Sequence, residues 1–331
     1  MKILTRQEIG PAAWDAFCLA HPGAWFLWTS AYLDYQAARG TRELSFGIVD
    51  DGLENMTFDP ENGIFRAERT SRLVAICPLF LEEREGVRSF TMEGHPGLMP
   101  LGKIEGENII EATSDAFDLQ VDLISRIDML ATQHGVRRVA FRNSPFYNNW
   151  ITSRSWSDIS WHTQILDLTQ SEAALHAGIR KSYKALINQV ARTHEIVVDA
   201  KGDLLKAFKR LHFGEAGRQT RPDRTWEIQR EWCEAGNGLI VAAMRWNVAV
   251  ACTYWILYKG CAYYASSASI NPNVTHTLVW RAMLELKARG VKQLEMGWLD
   301  YDKSDKGQGI ARFKAGFGGE TVPVIAVERR F

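Results

Sequence analysis

No run of this 331-residue chain approaches the roughly 20 consecutive apolar residues that span a bilayer, so no membrane-crossing helix is expected. Cysteine is scarce and without pattern. Cys18, Cys77, Cys233, Cys252 and Cys261 are odd in number and include no Cys-x-x-Cys pair. That excludes a disulfide framework and a zinc-finger-like site from the expectation and fits a reducing compartment. Net charge is lacking too: 39 Lys plus Arg balance 39 Asp plus Glu. Nothing global therefore steers the chain toward nucleic acid or an anionic membrane, although local basic patches remain open. Residues 1–10 lack the basic-then-apolar order of a secretory leader, and a cytoplasmic location is expected. No Ser/His/Asp trio or Cys/His pair stands in a motif, which argues against covalent catalysis. No His/Cys/Asp/Glu cluster has ligand spacing, so the expected metal is none.

What the chain does have is enough length for two domains with sizeable cores and an ordinary composition, 46% hydrophobic and 24% charged. Its 12 tryptophans suit both a core and a cleft that holds a large ligand. Apolar periodicity predicts a strand at Lys2–Thr5, helices at Ala12–Ala20 and Ser30–Ala38, and strands at Leu44–Val49 and Leu73–Leu81. A Gly/Pro-rich loop follows at Gly94–Gly102, then a long helix at Ser114–His134 and a strand at Arg138–Arg142. The second half repeats this order. A strand at Gln164–Asp167 leads to a long helix at Ser171–Arg192, a strand at Glu195–Asp199, and helices at Asp203–Glu215 and Arg224–Ala235. Three strands, Leu239–Arg245, Val248–Leu257 and Ala262–Ala268, are separated only by Trp246–Asn247 and Lys259–Gly260, which have hairpin-turn length. A helix ending before Gly290 and capped by Thr275 or Thr277 is expected next, then strands at Val291–Glu295 and Thr321–Val327. The expected class is α/β (α+β), as two tandem domains at 1–155 and 156–331 with mixed, mostly antiparallel sheets.

Specific sequence segments sharpen this. They are Leu166-Asp-Leu-Thr-Gln-Ser-Glu, the basic helix opening Arg180-Lys-Ser-Tyr-Lys, Tyr263-Tyr-Ala-Ser-Ser-Ala-Ser, the helix Leu278-Val-Trp-Arg-Ala-Met, and Ile310-Ala-Arg-Phe-Lys-Ala-Gly-Phe-Gly-Gly-Glu. Together they resemble the FemAB-type aminoacyl- and acyltransferases, most strongly over residues 160–328, where a Phe-Lys pair precedes Gly-Phe-Gly shortly before the last strand. The resemblance implies two acetyltransferase-like (GNAT-type) domains. It also implies a splayed opening between Ala262–Ala268 and Val291–Glu295, where the acyl donor enters. A further stretch, Ala216-Gly-Arg-Gln-Thr-Arg-Pro, is similar to a branch found among surface-sugar genes, which implies an amino-sugar or nucleotide-sugar acceptor.

The chemistry expected is amide formation on an amine, which needs a positioned donor carbonyl, a neutral amine and positive charge where the oxyanion forms. The resemblance gives Lys314, next to Phe313, the donor-contacting and charge-stabilising role. Asp300, at the carboxyl end of the fifth strand beside Trp298, is a candidate proton acceptor, with Glu295 and His276 as alternatives. Arg180, Lys181 and Lys184 read as a phosphate clamp or as a solvated helix face. Arg218 and Arg221 read as anion contacts or as surface ion pairs. Tyr264, or its neighbour Tyr263, faces the opening; His95 is an acceptor contact or plain surface. Three functions stay in play: a FemAB-like transferase acting on a cell-envelope precursor or surface amino sugar, an acyl-coenzyme A N-acetyltransferase, and a non-catalytic sugar- or RNA-binding module. No tightly bound cofactor is expected, and the donor is aminoacyl-tRNA or acyl-CoA. Residues 270–277 lack the glycines with which coenzyme-A-dependent members hold pyrophosphate.

Overall fold

The computed structural model describes residues 1–21, 24–59, 64–90, 99–100, 113–142, 157–299 and 305–331. Its helices are α1 (Arg6–Ile9), α2 (Pro11–Ala20), α3 (Ser30–Ala38), α4 (Thr113–His134), α5 (Glu172–Gly178), α6 (Lys181–Thr193), α7 (Leu205–Ala216), α8 (Asp223–Glu234), α9 (Pro272–Ala288) and α10 (Asp305–Ala315). Its strands are β1 (Lys2–Thr5), β2 (Arg42–Glu43), β3 (Phe46–Asp59), β4 (Ile64–Cys77), β5 (Phe80–Arg84), β6 (Val87–Phe90), β7 (Met99–Pro100), β8 (Arg138–Arg142), β9 (Ser157–Asp167), β10 (Glu195–Asp199), β11 (Gly238–Arg245), β12 (Val248–Tyr258), β13 (Cys261–Ser269), β14 (Gln293–Leu299) and β15 (Glu320–Arg330). The chain forms two compact units, Met1–Ile159 together with Ile325–Phe331, and Ser160–Val324. The last residues thus belong with the first unit, where a single boundary at 155/156 assigns them to the second.

In the first unit α4 buries Leu123, Ile124, Ile127, Leu130 and Ala131, a helical stripe, against Phe46, Ile48, Val74, Phe90 and Val139. Each large side chain contributes about 1.5–3 kcal/mol on burial. The strands expected at Leu44–Val49 and Leu73–Leu81 are longer and differently divided. β3 and β4 pair from Phe46↔Cys77 out to Asp59↔Ile64, and Pro78, which has no N–H for a ladder, separates β4 from β5. Residues 326–330 pair antiparallel with β8. Arg329 grips Asp128 with two hydrogen bonds of 2.9 and 2.7 Å, and Arg138 donates to buried Glu328 at 2.7 Å. Burial alone raises the Glu328 carboxyl, but hydrogen bonds from Arg138 and Arg330 outweigh it and hold the group below the usual range.

The second unit carries a sheet in the order β10-β11-β12-β13-β14-β9. Its three central antiparallel strands form because each is a nearly unbroken apolar run between tight turns. Trp246 and Asn247 have φ of 50° and 60°, and Lys259 and Gly260 have 47° and 72°, the left-handed pairs that a two-residue hairpin needs. One face buries Leu239, Val241, Ala243, Trp255 and Tyr264 under α6 and α9. The other face meets α7 and α8, where the Phe208 and Trp232 rings each lie 6.5 Å from Tyr254. The crossover helix α9 then leads to β14, parallel to β13. Antiparallel strands, crossover helix and parallel strand stand as expected.

Two local expectations are corrected. The helix expected at Ser171–Arg192 is two helices, because Ile179 and Arg180 are extended and the Arg180 N–H donates to Gly316 O at 2.9 Å. α9 starts earlier than expected. Asn271 caps it by accepting from Asn273 N, with Pro272 at the first position, while Thr275 and Thr277 are buried inside it. Residues 305–315, for which no element was expected, form a helix despite Gly307 and Gly309, since burial of Ala311 offsets the roughly 1 kcal/mol cost of each glycine.

Candidate functional site

β13 and β14 share only three register pairs, Cys261↔Gln293, Ala262↔Leu294 and Tyr263↔Glu295. Beyond them β13 turns its ladder to β12 alone, and its pairing there is bulged between Tyr254 and Trp255. β14 loses register with β9 between Glu295 and Trp298. Bulges of this kind bend strands and end pairing. The two parallel strands therefore fork after Tyr263 and Glu295, leaving Tyr264–Ser269 on one prong and Met296–Leu299 on the other. Ser266 Oγ on the first prong is buried without a hydrogen-bond partner among the described residues.

Lys314, in the last turn of α10, reaches the second prong. Its half-buried ammonium donates to Trp298 O at 2.8 Å, so a cation is fixed at the carboxyl end of β14. Phe313 beside it joins a set of rings: its centroid is 5.1 Å from His276, 5.2 Å from Phe317, 6.3 Å from Tyr183 and 6.5 Å from Tyr264. Edge-to-face packing of this kind adds roughly 0.5–1.5 kcal/mol per pair beyond burial. The glycines after Lys314 have a steric reason. A Cβ on Gly316 would overlap the Tyr183 ring, whose hydroxyl donates to Arg312 O at 3.2 Å, and a Cβ on Gly319 would overlap the Ile165 carbonyl. Gln164 closes the turn, donating to Gly318 O at 2.6 Å and accepting from Thr321 Oγ1 at 2.7 Å. Tyr183, Gln164 and Thr321 went unread in the sequence because their partners lie more than a hundred residues away. Close-approach glycines, visible in the motif, were the only available signal.

The other expected residues divide. Arg180 N-caps α6, and its guanidinium lies 5.3 Å from the Tyr183 ring centre, next to the Phe-Lys turn. Lys181 is exposed one residue on, while Lys184 donates to Ala177 O and closes the α5–α6 joint. Trp298 supplies the carbonyl that holds Lys314. Tyr264 is a core residue packed 4.9 Å from the Trp255 ring, and burial pushes its hydroxyl up to about 12. Tyr263 lies on the opposite face, against Gly297. Glu295 accepts from Thr163 Oγ1 at 2.9 Å, a structural pairing. Asp300 and His95 lie outside the described residues.

Arg221 and Arg218 part company. Arg221 stacks 3.5 Å from the Trp226 ring centre and donates to buried Gln229 at 2.6 Å, whereas Arg218 is exposed on the α7–α8 loop. Arg221→Ala is expected to cost at least about 2 kcal/mol, the loss of the Trp226 cation–π contact and the Gln229 hydrogen bond among its interactions. Arg218→Ala should stay within about 0.5 kcal/mol, as surface changes do. Urea unfolding of both variants measures the difference.

His276 is 8% exposed. Burial depresses its pKa, partly opposed by the contact of Nδ1 with Asn273 O at 3.1 Å. That carbonyl can only accept, so Nδ1 carries the proton and the ring is neutral with Nε2 as an acceptor. Because the folded pKa lies below the unfolded value near 6.5, the unfolded chain binds more protons in the window between them. Stability due to His276 is therefore fully present above about pH 6.5 and is lost as pH falls through that window. Melting curves from pH 7.5 to 5 should converge for wild type and His276→Phe at the acid end. His212 and His134, also depressed by burial first, titrate in both proteins and cancel in the difference.

No family model and no curated protein matches the sequence. Solved structures do match, over the whole chain. FemX aligns with a TM-score of 0.65 at 11% identity, covering 100% of this chain and 98% of that one. The C-terminal domain of a putative lysylphosphatidylglycerol synthetase from Agrobacterium fabrum aligns at 0.56 and 12%, covering 97% and 92%. A tandem GNAT protein from the clavulanic acid biosynthesis pathway aligns at 0.50 and 12%, covering 99% and 98%. At these identities the likeness is one of fold, and that fold is the tandem acetyltransferase-like one. Among the described residues no helix is long and apolar enough to cross a membrane.

Proposed function

We propose that this chain transfers an acyl or aminoacyl group to an amine, with the donor carbonyl seated in the fork between β13 and β14. The observation that carries the proposal is Lys314, whose ammonium is held 2.8 Å from Trp298 O on one prong of that fork. The fold likeness to FemX, to the synthetase domain and to the tandem GNAT protein supports the same reaction class. In the reaction the neutral amine attacks the donor carbonyl and a C–N bond forms. The oxygen takes the electron pair beside the Lys314 ammonium; the pair then returns and breaks the bond to the leaving group. The proton lost by the attacking nitrogen goes to a base, for which Asp300 remains the candidate, while Phe313 and Trp298 pack around the donor.

One observation favours aminoacyl-tRNA over acyl-CoA as donor. At the start of α9, where coenzyme-A-dependent proteins of this fold present backbone N–H groups to pyrophosphate, Pro272 has no N–H, Asn273 N donates to the Asn271 side chain, and Val274 N donates to Asn271 O. The donors that would hold pyrophosphate are engaged internally. The acceptor class proposed is a cell-envelope precursor or surface amino sugar, including nucleotide-sugars, met by Arg180, Lys181 and Arg218 in a cytoplasmic setting. Arg221 is proposed to order the Arg218 loop, and Tyr264 to back Phe313.

Calorimetry at low salt with acetyl-coenzyme A, charged tRNA and nucleotide-sugars tests this reading. Heat with charged tRNA or a nucleotide-sugar, and none with acetyl-coenzyme A, is expected. Coenzyme A binding lost in Lys314→Ala transfers the assignment to an acyl-CoA N-acetyltransferase. Binding of a sugar or RNA, with normal biological output from Lys314→Ala, leaves a non-catalytic module.

A further inference from the structure

The first unit has a concavity of about 540 Å³ that plays no part in the fork. Its wall is built from the α3–β2 loop, β5, the start of β6 and the end of α4, and it includes Arg39, Arg42, Arg84, Arg88, Glu83 and His134. Four guanidiniums face two carboxylates there. Arg84 pairs with Glu82 at 3.1 Å and Arg88 with Glu83 at 2.9 Å, which leaves Arg39 and Arg42 with no ion pair among the described residues. The crowding is felt by His134, whose pKa is lowered by burial and then by Arg42 and Arg88. Like charges gathered in a concave wall repel one another until an anion enters between them.

The chemistry of the wall narrows the anion. Leu81 is its one apolar side chain, and no Phe, Tyr or Trp ring lines it. A guanidinium's planar fork matches phosphate oxygens in pairs, and the volume exceeds a single phosphate. We infer that this concavity binds closely spaced phosphates through Arg39 and Arg42. The competing explanation is that the arginines only offset the carboxyl ends of α3 and α4, whose last carbonyls carry partial negative charge. Arg88 serves that purpose directly, donating to His134 O at 3.2 Å; neither Arg39 nor Arg42 makes such a bond among the described residues.

The test is calorimetric titration of the full chain at about 50 mM salt, where phosphate contacts are strongest. The probes are inorganic pyrophosphate and, separately, a single-stranded RNA 12-mer. Binding of either that weakens about tenfold or more in Arg39→Ala/Arg42→Ala, and recovers largely in Arg39→Lys/Arg42→Lys, supports the inference, a tenfold loss being about 1.4 kcal/mol. Pyrophosphate binding points to a small diphosphate as the source, and binding of RNA alone to its backbone. No binding of either probe overturns the inference, as does equal binding by the double alanine variant with a lowered melting temperature, the signature of helix-end compensation. Should the double variant fail to fold, Arg42→Gln alone takes its place with the same criteria. None of these outcomes depends on Lys314, so failure here leaves the transferase reading untouched.

Discussion

Replacing Lys314 with methionine is expected to slow acyl transfer about 10²- to 10³-fold, the usual effect of removing one oxyanion-directed donor and worth roughly 2.7–4 kcal/mol in the barrier. Methionine keeps an unbranched stem of similar length and removes the ammonium. The structural loss includes the hydrogen bond to Trp298 O, about 1 kcal/mol, so the melting temperature should fall by a few degrees. The measurement is the rate of transfer from charged tRNA to an amino-sugar acceptor, with wild type and variant compared at saturating donor. If the effect falls on KM alone, the lysine binds the donor without stabilising the transition state. If rate and affinity are both unchanged, Lys314 is an ordinary helix lysine.

Gly319→Ala is expected to be the most damaging single methyl group in the second unit. The residue has φ of 81°, and its Cβ would overlap the Ile165 carbonyl oxygen of β9. The left-handed conformation alone costs a non-glycine residue roughly 1–2 kcal/mol, and the clash meets backbone that cannot rotate away. A total above about 3 kcal/mol is expected, measured by urea unfolding. The displaced turn holds Gly318 O against Gln164 and Gly316 against Tyr183, so donor binding should weaken as well. Gly309→Ala is the internal control. Its Cβ meets nothing within 4 Å, it lies in α10, and it should gain about 0.5–1 kcal/mol. Equal effects at the two positions would contradict the steric account of the motif.

The same contrast explains how much of the molecule could be read in advance. The three central strands of the second unit were legible because burial on both faces writes a continuous apolar run and because Lys259-Gly260 marks a turn. α4 was legible from its stripe of Leu123, Ile127 and Leu130. The break between α5 and α6 was not, since local propensity favours helix through Ile179 and only the distant Gly316 carbonyl diverts the chain. α10 was missed for the opposite reason: two glycines suggest a loop, and the packing that overrides them belongs to β14. At the site, the Phe313–Lys314 pair was legible as a motif, and Tyr264 was singled out although it is core. Arg221 shows why residue type misleads: a loop arginine suggests an anion, but here an aromatic face and an amide use it first. The concavity of Arg39 and Arg42 left no pattern, because it is assembled from four separate segments.

The central claim is that the fork receives the acyl donor, and hydrogen–deuterium exchange of the full chain with and without a non-hydrolysable, amide-linked aminoacyl-tRNA analogue tests it most directly. Protection is predicted on both prongs, residues 264–269 and 296–299, and on the turn 314–319, and it should be lost in Lys314→Met. Saturable binding of the analogue with these segments unprotected would contradict the account.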